Sequence, residues 1–98
     1  MRVIYYPKEV PQGTTETIMT AKPVDWEFMR QSSEVLKDIP ATWKRYPETE
    51  AGLKSIIEME FDEFMTTEAK GMSKEDRSRE LVHLASACLH LWRYLNVK

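Results

Sequence analysis

The sequence predicts a mainly α protein: a three-helix unit that assembles into an oligomeric helical bundle, preceded by an N-terminal β-hairpin or extended arm. Two observations carry this. From Asp25 onward apolar residues recur at helical spacing, and Pro40, Gly71 and Ser73 divide that stretch into three. Before it, residues 2–6 (RVIYY) and 15–21 (TETIMTA) are rich in β-branched and aromatic types, with two prolines and a glycine between them. With 98 residues the chain forms one small domain, read as an arm over 1–23 and a helical part over 24–98.

The elements follow in order. Two strands alone are marginal, so the arm must pack on the helices or pair with another subunit. Asp25 reads as the N-cap of a first helix, WEFMRQSSEVLKDI, with apolar residues at 28, 29, 35, 36 and 39, ended or bent by Pro40. The connector ATWKRYPETE holds Trp43, Tyr46 and the basic pair Lys44 and Arg45. A second helix runs from about Thr49 to about Lys70 and is closed by Gly71. Ser73 caps a third that runs to about Asn96.

The stretch 56–64, IIEMEFDEF, interleaves four acids with five apolar residues. On a wheel at about 100° per residue with Leu53 at zero, Ile57, Phe64, Phe61 and Ile56 define an apolar arc, and Glu58 and Asp62 fall opposite it. Glu60 lands inside the arc, and Glu63 between Met59 and Ile56. On the third helix the arc runs through Leu81, Leu84, Ala85, Cys88, Leu89, Leu91, Trp92 and Leu95. Glu80 sits between Ala87 and Leu91, His83 and His90 lie at the margin, and Arg79, Ser86 and Arg93 face solvent. Glu60, Glu63 and Glu80 are therefore candidates for one partly buried acidic cluster. Such a cluster persists if its members are protonated, paired with Lys or Arg from another helix or subunit, or bound to a hard cation such as Mg²⁺ or Mn²⁺.

Several function classes are excluded by composition. Net charge is −2, so no global positive field attracts nucleic acid. No apolar run approaches membrane-spanning length, and a single cysteine rules out an intramolecular disulfide. A free thiol among apolar residues suits a reducing cytoplasm, and Cys88 in mid-helix reads as inert packing rather than a nucleophile. Trp26, Phe28, Phe61, Phe64 and Trp92 are assigned to core or subunit contacts. Trp43 and Tyr46 read either as core anchors or as a stacking surface for a base. Two helices with apolar arcs this broad expose too much for a monomer, so a homodimer or higher oligomer is expected.

Glu60-x-x-Glu63 on one helix, followed by Glu80 and His83 at the same spacing on the next, resembles the metal-binding motifs of the MazG-like all-α nucleoside triphosphate pyrophosphohydrolases. The resemblance covers roughly residues 43–95, and RYPETEAGLKSIIEMEFDEF is similar to small phage-encoded members. Two positions depart from the pattern: Met59 stands where the family has a glutamate, and His83 where it has an aspartate. The resemblance implies metal ligands Glu60, Glu63, Glu80 and His83, with catalysis, if retained, resting on Glu60, Glu63 and Glu80. It also implies Mg²⁺ or Mn²⁺ as cofactor, a nucleotide ligand, and hydrolysis that releases pyrophosphate. Among the cations that would position phosphates, Lys44, Arg45 and Arg77 are singled out, with Tyr46 beside them. The Met59 and His83 departures equally suit a non-enzymatic protein that sequesters a nucleotide signal, an anti-defence sponge of phage type. A purely structural interaction protein is the third class.

Overall fold

The computed structural model describes residues 21–97. The strand expected at 2–6, and the one expected at 15–21 up to its last residue, lie outside the described residues. The rest is helical: α1 spans Pro23–Val35, a 3₁₀ turn covers Ala41–Arg45, α2 spans Glu50–Met65 and α3 spans Lys74–Asn96. The mainly α, three-helix architecture is as expected among these residues, with α1 and α2 both packing on α3.

Helix ends follow local chemistry. The N-cap of α1 is Lys22, not Asp25. Pro23 occupies the first turn, where its missing N–H costs nothing, and the Asp25 carboxylate accepts the Lys22 backbone N–H at 2.7 Å. α1 also ends four residues earlier than expected. Leu36, Lys37 and Asp38 donate to carbonyls three residues back, a tightened turn leading to Pro40, whose ring disfavours helix at Ile39. Thr49 caps α2 by accepting the Gly52 N–H at 3.0 Å. Gly52 lies under the preceding loop, where a Cβ would overlap the Pro47 carbonyl oxygen.

α2 stops at Met65 rather than near Lys70. Thr66 and Thr67 each donate a hydroxyl to a carbonyl three residues back, at 3.0 and 2.8 Å, and the chain turns down to Gly71 at φ +67°. Ser73 caps α3 as expected, accepting the Asp76 N–H at 3.1 Å.

Trp43, Leu53, Ile56 and Ala87 form the buried core, with Val35, Leu36, Ile39, Tyr46, Ile57, Met59 and Leu91 packed against it. Trp43 is thus an anchor of the core and unavailable as an open stacking surface.

The orientation of α3 differs from expectation. Its buried residues are Val82, Ser86 and Ala87, and Ser86, expected in solvent, is fully enclosed. The Ser86 hydroxyl lies 2.7 Å from the Val82 carbonyl and 3.0 Å from that of Ser32, and can donate to either. Buried Ser32 in turn donates to the Phe28 carbonyl. Two small side chains whose hydroxyls are satisfied on backbone oxygens let α1 and α3 approach closely. One side of the leucine-rich arc consequently turns outward, while Leu91 stays on the core. Leu81, Trp92 and Leu95 are exposed, and so is Cys88, which was expected to be packed. Among the other aromatics assigned to contacts, Phe28 and Phe61 are also exposed. Trp26 and Phe64 are half-buried.

Candidate functional site

α2 and α3 place the acids. Glu58 and Asp62 face solvent, as the wheel requires. Glu60 faces inward and is only 3% exposed. Its Oε2 accepts the indole N–H of Trp43 at 2.7 Å, which joins the 3₁₀ turn to α2. Its Oε1 is buried and makes no hydrogen bond. A carboxylate oxygen of Glu60, one of Glu80 and a ring nitrogen of His83 all lie within 4.8 Å of one another. Glu80 and His83 are one turn apart on α3, with His83 Nδ1 4.0 Å from Glu80 Oε1, and both are partly screened from water.

Glu63 departs from the expected cluster. It is exposed and is not among the three converging ligands, because it lies at the edge of the apolar arc. Its carboxyl nonetheless leans toward Glu80, and partial burial, together with that neighbouring acid, raises its pKa above the ordinary glutamate value. Met59, at the departed position of the motif, packs against the core and offers no oxygen.

The Lys or Arg pairing weighed for the inward acids is absent among the described residues. The ion pairs formed there by Lys and Arg join residues three or four apart on helix surfaces: Arg30–Glu27, Lys37–Glu34, Lys54–Glu50 and Arg79–Asp76. None involves Glu60, Glu63 or Glu80. A buried carboxylate with a free oxygen beside a second carboxylate and an imidazole is a donor set that fits a divalent cation. The cluster meets that test on its own geometry, with two oxygens and one nitrogen.

The residues singled out for phosphate do not form one patch. Lys44 and Tyr46 line a cavity of about 200 Å³ beside Leu53, Ile56 and His90, at the N-terminal end of α2. Arg45 is exposed on the 3₁₀ turn. Arg77 lies at the other end of the α2–α3 groove, one turn before Glu80. There it lines a cavity of about 420 Å³ with Lys74, Ser78, Phe64, Met65 and Leu81. Its Nε is buried and makes no hydrogen bond. Lys74 is not among the cations singled out from the sequence. The role of Trp43 as the donor holding Glu60 had no periodic signal, and neither did the stacking of His90 on Trp43 at 5.9 Å between centroids.

In comparisons with known proteins, no family model, curated protein or solved structure matches the chain. Among the described residues, no helix is long and apolar enough to cross a membrane.

Proposed function

We propose that this chain is a MazG-like nucleotide-binding protein that acts as a homo-oligomer and engages a phosphate chain through a divalent cation held by Glu60, Glu80 and His83. The single observation that carries this reading is the buried Glu60 carboxylate, which keeps Oε1 unpaired and brings an oxygen within 4.8 Å of ligand atoms of Glu80 and His83. A buried carboxylate oxygen without a partner is costly, and a cation is the group that offsets that cost. When bound, Mg²⁺ or Mn²⁺ supplies neutralisation of phosphate charge and a more acidic water. Trp43 fixes the Glu60 carboxylate in one orientation, so that ligand does not have to be ordered on binding. Glu63, with its raised pKa beside Glu80, is placed to take up a proton at the mouth of the cluster. Arg77 and Lys74, one and two turns before Glu80 on α3, are the cations best placed to hold phosphate oxygens.

The packed Met59 favours a second reading on the same site. With that position apolar and Glu63 exposed, three donors remain, enough to bind a nucleotide without turning it over. Two measurements separate the readings. Mn²⁺ titration followed by electron paramagnetic resonance should show binding in wild type and in Glu58→Gln, and its loss in Glu60→Gln and Glu80→Gln. Incubation with nucleoside triphosphates and Mg²⁺ or Mn²⁺ then distinguishes released pyrophosphate, the enzyme, from intact bound nucleotide, the sequestering protein. Equal Mn²⁺ binding by wild type and Glu60→Gln would sink both.

A further inference from the structure

The face of α3 turned away from its own chain is its most apolar face. Leu81, Cys88 and Leu95 are spaced by seven, with half-buried Leu84 and Ala85 and exposed Trp92 alongside, while Leu91 on the flank of this stripe packs on the chain's own core. This is the spacing of a helix–helix seam. Leu81 is 40% exposed, Trp92 60% and Leu95 52%, and Met65 of α2, at 59%, shares a cavity wall with Leu81. We propose that a second copy of this chain covers this face, with the two α3 helices packed antiparallel about a two-fold axis at Cys88. The inference does not rest on the metal-site reading.

Area, fit and charge select the occupant and its direction. These side chains leave on the order of 500 Å² of largely apolar surface per chain. A symmetric pair then removes about 1,000 Å², the threshold for a specific interface. A two-fold at Cys88 sets Leu81 against Leu95 of the partner subunit and Leu84 against the partner's Trp92. Apolar side chains therefore meet apolar ones on both sides of the axis, and the axis itself falls on a small residue, which lets the two helices approach.

Charge sets the direction. Lys74 and Arg77 continue the seam toward the N-terminal end of α3, and no acid lies on the same arc toward the C-terminal end. Parallel packing would set Lys74 and Arg77 against their own copies. Antiparallel packing carries them just past the C-terminal end of the partner's α3, with Arg77 the nearer, where their long side chains can reach back to the negative end of the helix dipole.

The experiment uses the whole chain and its single cysteine. Sedimentation at micromolar concentration should give a dimer, and a short bis-maleimide should convert wild type to a covalent dimer through Cys88. In a Cys88→Ser background, Leu81→Cys chains mixed with Leu95→Cys chains should cross-link to each other, while neither alone cross-links with itself. Trp92→Glu should sediment as a monomer with its helical circular dichroism retained, since that side chain already lies open to water. A monomeric wild type, a dimer in which Cys88 does not cross-link, or Leu81→Cys cross-linking to itself would each overturn the proposal. The wild-type cross-link depends on no substitution, so a variant that failed to fold would leave the proposal testable.

Discussion

Replacing Glu60 with glutamine reverses its contribution to stability according to whether a cation is present. In the metal-free protein Glu60 occupies a site 3% exposed, with one oxygen held by Trp43 and the other unpartnered. In Glu60→Gln the amide oxygen retains the indole bond, and the amide nitrogen takes the place of the free oxygen as a donor beside Glu80. Relieving a buried unpaired polar atom is worth about 1–3 kcal/mol, and exchanging a charge-assisted bond for a neutral one loses about 1 kcal/mol. The net is about 1 kcal/mol in favour of glutamine, which for a domain of this size raises Tm by roughly 4–8 °C. With Mn²⁺ at a hundredfold over its dissociation constant, wild type gains about 2.7 kcal/mol that the variant does not, so the order inverts. Thermal unfolding followed by circular dichroism, in chelator and in excess Mn²⁺ at one protein concentration, reads both orders. A variant less stable than wild type in chelator, or equal Mn²⁺ increments in the two proteins, would refute the reasoning.

Three other perturbations bear on the same framework. Gly52→Ala, which in an ordinary helix stabilises by about 1 kcal/mol, should here destabilise by about 1–3 kcal/mol because its Cβ meets the Pro47 carbonyl; urea denaturation gives the sign. Glu63 binds its proton more tightly folded than unfolded, so it withdraws stability as pH rises above the unfolded value of 4.5 through the higher folded one. Glu63→Gln should therefore be more stable than wild type at pH 7 and indistinguishable from it below about pH 4; a constant difference across that range in unfolding curves would contradict this. His83→Asp adds a third carboxylate to the cluster and should tighten Mg²⁺ binding at least tenfold by calorimetry, whereas an unchanged affinity would remove His83 from the ligand set.

The sequence carries the number of helices, the start of α2 near Thr49, the cap at Ser73 and the inward turn of Glu60, because each rests on short-range chemistry or on helical period. What it leaves open is what covers an apolar face. The arc on α3 is legible, but a hydrophobic stripe is equally satisfied by its own chain or by another. The deciding contacts are the Ser32–Ser86 crossing, whose residues are 54 apart. A serine whose proton is donated to a backbone carbonyl packs like a small apolar residue, and composition alone counts it as polar. Glu63 is ambiguous for a different reason. It lies at the edge of the arc, where a modest rotation of α2 decides between inside and outside. The end of α2 at Met65 depends on two threonines bonding back to the helix, which breaks no periodicity. The clasp of Trp43 on Glu60 spans 17 residues and has no local signature.

α3 faces two ways, and the two faces meet at Leu81. Glu80 and His83 lie toward α2, and the outward seam begins one residue after Glu80. The cavity lined by Lys74, Arg77, Met65 and Leu81 opens at that junction. In the antiparallel pair, Leu95 of the partner subunit lies over Leu81 and walls this cavity, excluding water from Lys74 and Arg77. Charge interactions with a bound phosphate strengthen as water is excluded. The proposed cation ligands, by contrast, all come from one chain. Dissociating the dimer with Trp92→Glu should therefore leave Mn²⁺ affinity within about twofold of wild type while weakening nucleotide binding by roughly tenfold or more, a difference of about 1.4 kcal/mol. Calorimetry with Mn²⁺ alone and then with Mn²⁺ plus a nucleoside triphosphate separates the two. If both affinities fall together, the cluster itself depends on the partner; if neither falls, the cavity at Leu81 is not where the phosphates lie.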